Sequence, residues 1–256
     1  MTSAPGPWAP SAWLPIGLRP VSARLPSTPP APSRRFQAPS AVTTPASTPS
    51  LPPSPPLVLG VAGGIAAGKS SVARLLAGPG GIVLDADRWA REELDSSEGR
   101  SRLEGRYGPE ALEPGGSVDR EFLAGRVFAD SAERAWLEGW IHPAVRVRMT
   151  RALEAARTER APRVVLDVPL LFENEELHEL VEACDALVFV DAPPEVRDAR
   201  ARESRGWPTG EVARRERAQL PTAEKRARAD YVIDNTGDQT DLERAVQGVL
   251  EDLTRR

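Results

Sequence analysis

Short apolar runs alternate with longer amphipathic stretches along most of the chain. Five runs, at residues 57–62, 81–87, 163–173, 185–195 and 230–237, have no helical period and are bounded by glycine, proline or polar residues. We therefore predict that these runs form strands. Strands that are apolar throughout are buried on both faces, which is typical of a parallel sheet covered by helices. The pattern predicts a doubly wound α/β fold with a mainly parallel sheet.

Two stretches between these strands have helical periodicity only. Residues 98–160 contain several amphipathic segments and no convincing strand, so we predict a helical insertion there. Residues 197–228 are rich in arginine and form a second predicted helical segment, between the fourth and fifth strands. We predict that residues 57–256 form one domain that contains both segments.

The first 56 residues have a different composition. They hold 16 of the 26 prolines, four arginines and no acidic residue. Such a segment cannot bury enough apolar surface to offset the entropy of ordering, so we predict a disordered, partly polyproline tail over residues 1–56. Three interpretations stay open: an organelle transit peptide, a segment that docks in an aromatic-lined groove, or a passive extension, including one from a translation start placed too far upstream.

Charge and cysteine content restrict the function classes. Without the tail the chain has a net charge of −8, which argues against general nucleic-acid binding. No run of about 18 apolar residues is present, so we expect no membrane span. The single cysteine, Cys184, rules out an internal disulfide and fits a reduced, cytoplasmic setting. We interpret it as a buried structural thiol rather than a nucleophile, and no obligate protein partner is evident.

The segment from Gly63 to Ser70 matches the Walker A pattern, between a predicted strand and a predicted helix. Its glycines let backbone amides approach phosphate oxygens, and the helix N-terminus adds a favourable dipole. Lys69 supplies a compact charge for the β- and γ-phosphates, and Ser70 offers a hydroxyl to Mg²⁺. The loop therefore predicts binding of ATP and Mg²⁺. The predicted nucleotide-binding residues here are Gly64, Ile65, Ala66, Ala67, Gly68, Lys69, Ser70 and Ser71.

Three classes of P-loop protein differ in the motifs outside this loop. The chain has no guanine-reading Asn-Lys-x-Asp motif and no Leu-Ser-Gly-Gly-Gln transporter signature. A small-molecule kinase needs a carboxylate for the acceptor hydroxyl, and we predict that Asp87, at the end of the second strand, is this base. Asp85 is interpreted as a helix cap or as part of a metal shell. The arginines of residues 197–228 suit a closing lid, and we expect two or three of them to reach phosphate.

An ordered series of motifs resembles the dephospho-coenzyme A kinase family over roughly residues 57–250. The motifs are "GGIAAGKSS", "LDADRWAR", "VFADSAERAWLEGWIHP", "VPLLFE", "RERAQL" and "KRARADYVIDNTG". The resemblance implies a fold of the P-loop kinase type and the ATP-dependent phosphorylation of the ribose 3′-hydroxyl of dephospho-coenzyme A. It also implies that residues 98–160 bind the acceptor and that residues 197–228 form the lid.

The resemblance implies roles for single residues as well. Asp87 becomes the base, and Arg205 becomes a catalytic lid arginine. Arg202 is a rival because the lid reads "SRGW" where the family usually reads Arg-Asp-Gly. Asp167 resembles a Walker B aspartate, and its role in a Mg²⁺ shell stays open, as does a helix break at His142. The implied acceptor pocket contains Asp87, Arg91, His142, Leu170, Phe172 and Glu173, and Asn235 would lie near adenine.

Two other hypotheses stay open. The chain could be another small-molecule or nucleoside monophosphate kinase, because the Walker A loop alone does not select an acceptor. It could also be a catalytically silent nucleotide-binding module that is recruited through its proline-rich tail.

Overall fold

The computed structural model describes residues 55–173 and 178–255, so the predicted disordered tail lies outside the described residues up to position 54. Within the described residues, five strands form one sheet in the order β2-β3-β1-β4-β5, and every pair is parallel. The strands are β1 (Leu57–Gly63), β2 (Ile82–Asp85), β3 (Arg163–Asp167), β4 (Ala186–Asp191) and β5 (Tyr231–Asp234). The predicted parallel α/β sheet is confirmed.

Helices connect the strands and follow the last one. They are α1 (Lys69–Ala77), α2 (Ala86–Leu94), α3 (Ser97–Tyr107), α4 (Arg120–Ala129), α5 (Ser131–Glu159), α6 (His178–Glu182), α7 (Pro194–Arg205), α8 (Glu211–Glu216), α9 (Thr222–Ala227) and α10 (Gln239–Arg255). A short 3-10 helix spans Pro109–Ala111. Helices α3 to α5 lie within the stretch predicted as a helical insertion, and α7 to α9 cover the predicted lid.

Four predicted strand ends are wrong, and one of them is that of β5, which ends at Asp234 rather than at residue 237. Strand β3 ends at Asp167, and residues 169–173 form turns. Strand β4 ends at Asp191, and α7 begins at Pro194, a residue that suits the first turn of a helix because it lacks an N–H. Strand β2 ends at Asp85, so Asp87 lies in the first turn of α2 rather than in the strand.

The sheet is buried on both faces. Val58 and Leu166 belong to an apolar cluster that includes the helices of the insertion. Leu59 and Val165 belong to a second cluster that includes α1 and α10. Because successive side chains of a strand point to opposite faces, this division explains why the strands are apolar throughout.

Helix α5 runs through Pro143 without interruption. The interpretation of His142 as a helix break is therefore wrong. Pro143 removes one backbone hydrogen bond, but Ile141, Val145 and Met149 are buried in the core on either side of it and hold the helix together.

The carboxyl ends of the parallel strands meet at one edge of the sheet. Strand β1 lies between β3 and β4, so the chain leaves it at the point where the strand order reverses. Ligands of open α/β sheets bind at such a point. In the described part of the chain, no helix is both long and apolar enough to cross a membrane.

Candidate active site

The loop between β1 and α1 forms a cradle for anions. The ammonium of Lys69 donates to the carbonyl oxygens of Gly63 at 3.2 Å and Gly64 at 2.9 Å. No side chain caps the first turn of α1, so its first N–H groups can bind an anion, while the N–H of Ser71 donates to the carbonyl oxygen of Gly68 at 3.1 Å. Gly68 precedes this helix with a φ of 97°, and a Cβ there would lie 2.2 Å from Nδ2 of Asn235. Glycine is therefore required at this position.

Asp85 and Asp87 have different roles at the end of β2. The Asp85 carboxylate accepts a hydrogen bond of 2.8 Å from the backbone N–H of Arg88 and caps α2. Asp85 also pairs in register with Asp167 of β3, which brings two carboxylates to one edge of the sheet. The cap role of Asp85 is confirmed, and Asp87 is left without it.

The environment of Asp87 disfavours its charged form. The pKa of Asp87 is raised to about 7. Burial is the largest cause and repulsion from Asp167 and Asp85 adds to it, whereas the charges of Lys69 and Arg91 oppose the increase. A carboxyl group with a pKa near 7 is partly ionised at neutral pH and accepts protons efficiently. These properties suit a general base.

Lys69 lies in the same electrostatic environment. The pKa of Lys69 is lowered to about 8. Burial is the largest cause and the charges of Lys225 and Arg205 add to it, whereas Asp167 and Asp87 oppose the decrease. The structure therefore brings the predicted loop lysine, the predicted base and the predicted lid arginine together.

Ser70 and Asp167 form a pair of oxygen donors beside the loop. The Ser70 hydroxyl lies close enough to the Asp167 carboxylate to lower the pKa of that carboxyl. Burial raises the pKa of Asp167, although Ser70 and the charge of Lys69 oppose the increase. Among residues 55–173 and 178–255, no three side chains of His, Cys, Asp or Glu are grouped to hold a metal. Mg²⁺ needs only one or two protein oxygens besides phosphates and water, so this pair fits it.

The lid brings Arg205 rather than Arg202 towards the site. The side chain of Arg202 is exposed, whereas that of Arg205 is partly buried. Burial lowers the pKa of Arg205, and the nearby Asp87 charge opposes this decrease. The guanidinium of Arg205 lies 4.8 Å from the ring centre of Trp207.

A buried ion pair fastens the lid to the phosphate loop. Arg197, only 5% exposed, donates from Nε to the carbonyl oxygen of Ala192 at 2.9 Å and pairs with Glu216 of α8. The Glu216 carboxylate also accepts a 2.8 Å hydrogen bond from the backbone N–H of Ile65. The lid and the loop are therefore one connected unit at this point.

The residues implied for the acceptor pocket have two kinds of environment. Arg91 lies one turn after Asp87 on α2 and acts on its charge. Half-buried His142 lies on α5, while buried Leu170 and half-buried Phe172 lie in the turns after β3.

Glu173 follows in the same turns, and its carboxylate forms an ion pair with Lys225 of α9. Lys225 also donates to Oε1 of Gln219 at 3.0 Å. The Glu173 carboxylate is thus held by a lysine rather than turned to solvent.

Several residues with a place in this site received no separate role from the sequence. Lys225, Glu216 and Trp207 are the main ones. The composition contained one usable signal, since Lys225 is one of two lysines in a chain with 33 basic residues. Glu216 and Trp207 carried no comparable signal, because their partners are distant in sequence.

A cavity of about 320 Å³ lies on the other side of the loop. Asn235, 7% exposed, donates from Nδ2 to the carbonyl oxygen of Ala67 at 2.7 Å, and Arg200 donates to the Asn235 carbonyl oxygen at 2.9 Å. Asn235 therefore lies beside the phosphate loop. The cavity is lined by Gly68, Ser71, Arg200, Asn235, Gly237, Asp238, Gln239 and Leu242.

The geometry defines the class of the protein. The phosphate loop lies at the switch point of a parallel sheet, and a carboxyl group of raised pKa and a lid arginine lie beside it. These features together are typical of a P-loop kinase. A family model described as dephospho-CoA kinase matches residues 57–241. The chain belongs to the dephospho-CoA kinase family, whose members are transferases of the final step of coenzyme A biosynthesis, and the predicted family is confirmed.

Individual relatives agree with this assignment. The chain is 38% identical over 201 residues to the dephospho-CoA kinase of Thermobifida fusca, covering 78% of this chain and 98% of the relative. It is 43% identical over 202 residues to that of Deinococcus radiodurans, covering 78% and 94%.

Solved structures are also similar. TT1252 from Thermus thermophilus has a TM-score of 0.63 and 40% identity, covering 78% of this chain and 99% of that one. Dephospho-CoA kinase from Campylobacter jejuni has a TM-score of 0.55 and 23% identity, covering 77% and 96%, and this likeness supports the fold.

Proposed function

We propose that the chain transfers the γ-phosphoryl group of ATP to the ribose 3′-hydroxyl of dephospho-coenzyme A, giving coenzyme A and ADP. Membership of the family supports the substrate. The mechanism rests mainly on the position of Asp87. Its carboxyl group lies near the loop lysine Lys69, and its pKa is raised to about 7. We also propose that the reaction takes place in the cytoplasm.

In the proposed reaction Asp87 accepts the proton of the 3′-hydroxyl while the oxygen of that hydroxyl bonds to the γ-phosphorus. The bond between this phosphorus and the β–γ bridging oxygen breaks, and ADP leaves. Lys69 and the loop amides stabilise the charge that develops on the phosphates, and Arg205 adds a cation from the lid. Most of the catalysis is positioning and charge neutralisation, because phosphoryl transfer needs little covalent chemistry from the protein.

The Ser70 hydroxyl, with the Asp167 carboxylate behind it, would hold Mg²⁺. When bound, Mg²⁺ neutralises charge on the β- and γ-phosphates. The closeness of the two side chains supports this proposal, since it keeps a negative charge next to the Ser70 oxygen.

Binding of the two substrates would use opposite sides of the loop. The cavity beside Asn235 takes the adenine of ATP. The acceptor binds on the side of Asp87, where Arg91, His142, Leu170, Phe172 and Glu173 form its pocket. Arg91 supports this proposal, because its charge acts on Asp87.

An ADP-release assay with ATP and Mg²⁺ tests the proposal. Dephospho-coenzyme A, AMP, CMP and shikimate are compared as acceptors, and ³¹P NMR locates the new phosphate. We expect a clear preference for dephospho-coenzyme A and a 3′-phosphate in the product. A preference for another acceptor would make the chain a different small-molecule kinase. Binding of ATP without turnover on any acceptor would favour the silent module.

A further inference from the structure

Trp207 lies between the lid helices, and the side chains of two arginines lie over its ring. Its side chain packs with Ile65, Ala201 and Val212, and the residue is only 5% exposed. The guanidinium carbon of Arg205 lies 4.8 Å from the ring centre, and that of Arg215 lies 4.0 Å from it. Distances of this size allow cation–π attraction, which is strongest where water is excluded.

Both arginines belong to the reactive part of the lid. The charge of Asp87 acts on Arg205, and so does the charge of Arg215, so the three groups lie close together. Arg215 also pairs with Glu211 at 2.7 Å. Its Nη1 atom is buried and has no hydrogen-bond acceptor among the described residues. A buried cationic donor of this kind is suited to an anion that arrives with the substrates.

Two arginines so near each other repel, and a long side chain has many rotamers to lose. A flat, electron-rich ring offsets both effects, because it attracts each guanidinium and leaves it a small set of stacked orientations. The ring of Trp207 is itself fixed, since it is buried in the same apolar cluster as Ile65 of the phosphate loop. The ring therefore fixes the position of the two arginines relative to the loop that holds ATP.

We propose that Trp207 is a positioning residue that holds Arg205 and Arg215 in register with the phosphate loop for phosphoryl transfer. The inference rests on the proposed function, in which Arg205 acts on the transferred group. It explains how a lid that reads "SRGW" supplies its cations. Trp207 acts through the arginines and does not itself touch the reacting atoms.

The test compares W207F with W207L in steady-state kinetics. Both variants keep an apolar side chain against Ile65, but only phenylalanine keeps a ring for the arginines. We expect W207F to retain kcat within about threefold and W207L to lower kcat about tenfold, or about 1.4 kcal/mol of barrier, with KM for ATP nearly unchanged. Equal losses in both variants, or wild-type kcat in W207L, would overturn the inference.

A matched control is F189L, because Phe189 of β4 is another buried aromatic residue, it lies outside the lid, and the substitution again replaces an aromatic ring by leucine. We expect F189L to leave kcat unchanged. Thermal melting and ATP binding check that each variant is folded. If W207L does not fold at the assay temperature, W207M replaces it, since methionine fills an irregular space without a ring.

Two further measurements separate positioning from general stability. In the triple variant R205M/R215M/W207L, kcat should be close to that of R205M/R215M, because Trp207 acts through these two arginines and residues that act as a unit are not additive. In W207L the acid limb of the kcat profile should move to higher pH, because Asp87 loses a nearby cation, and in W207F it should not. Additive losses with an unmoved acid limb would contradict the inference.

R205M alone distinguishes this inference from the proposed function. Wild-type kcat in R205M would contradict the proposed role of Arg205 itself. A large loss in R205M together with wild-type kcat in W207L would leave the proposed function standing and overturn only the role of Trp207.

Discussion

Lys225 and Glu173 form an ion pair in which each side chain is only 3% exposed. The pair joins α9, at the end of the lid, to the turns after β3. Gln219 accepts a second hydrogen bond from the same ammonium, so the lysine holds the lid end at two points. Lys225 also lies near enough to Lys69 to lower the pKa of that loop lysine.

Removing only the cation of this pair should destabilise the fold strongly. In K225M the Glu173 carboxylate stays buried without its partner, and we expect the free energy of unfolding to fall by about 3–5 kcal/mol. Urea denaturation measures this change. The double variant K225M/E173L should recover most of the loss, since an apolar pair replaces the buried charges.

A surface pair provides the control. Arg228, which caps the C-terminus of α9, pairs with Glu224 of that helix, and the two side chains are 46% and 44% exposed. We expect R228M to cost less than about 1 kcal/mol. If the free energy of unfolding falls equally in R228M and K225M, burial does not make the Lys225 pair costlier to break than a surface pair.

Asp87→Asn should remove the base and leave the binding of ATP intact. We expect kcat to fall about 10²- to 10⁴-fold, the usual contribution of a general base. The wild-type enzyme should lose kcat/KM below about pH 7, because protonated Asp87 cannot accept the hydroxyl proton. Turnover of Asp87→Asn near the wild-type rate, or an acid limb that persists in it, would rule out this role.

Asp87 should also make the stability of the protein depend on pH. The native state binds its proton more tightly than the unfolded state, because burial raises the pKa of Asp87 from 3.8 to about 7. Its contribution to stability is therefore complete at low pH and is lost as pH rises from about 4 to about 7. Relative to wild type, Asp87→Asn should gain on the order of 4 kcal/mol across this interval, since a shift of about 3 pKa units corresponds to about 1.4 kcal/mol per unit. Parallel pH profiles of unfolding for the two proteins would contradict the prediction.

Asp167→Asn should weaken the binding of Mg²⁺ at Ser70. The Ser70 hydroxyl would lose the negative charge beside it, and we expect the Mg²⁺ concentration for half-maximal rate to rise about 10- to 100-fold. Titration of the initial rate with MgCl₂ measures it. Asp85→Asn is the control, because asparagine caps a helix as well as aspartate does. A larger Mg²⁺ shift in Asp85→Asn than in Asp167→Asn would move the metal role to Asp85.

Ala66→Gly should stabilise the phosphate loop. Ala66 has a φ of 60°, which crowds its Cβ against the following carbonyl oxygen and costs about 1–2 kcal/mol, whereas glycine has no Cβ. We expect the free energy of unfolding in urea to rise by about 1 kcal/mol. Ala67→Gly is the matched control, because Ala67 is fully buried with an ordinary φ and should lose stability. A decrease in both variants would mean that the Ala66 backbone is not strained.

Much of the fold could be predicted from local patterns. The five strands, helix α1 and the phosphate loop depend on runs of apolar residues or on glycine spacing within about ten positions. The strand ends were harder, since "PLLFE" is as apolar as the strand before it. Only its place beyond the sheet edge makes it a set of turns. Asp85 and Asp87 lay two positions apart in one motif, and the helix start decided which of them became the cap.

The sequence by itself determined the sheet, the loop that receives a triphosphate and the order of motifs that marks the family. The tertiary structure alone decided which distant side chains meet at the carboxyl edge. Glu216 reaches the amide of Ile65 across 151 positions of the chain, Lys225 meets Glu173, and Trp207 collects Arg205 and Arg215. Periodicity and glycine spacing are local properties of a chain, whereas these contacts exist only after the lid has packed against the loop.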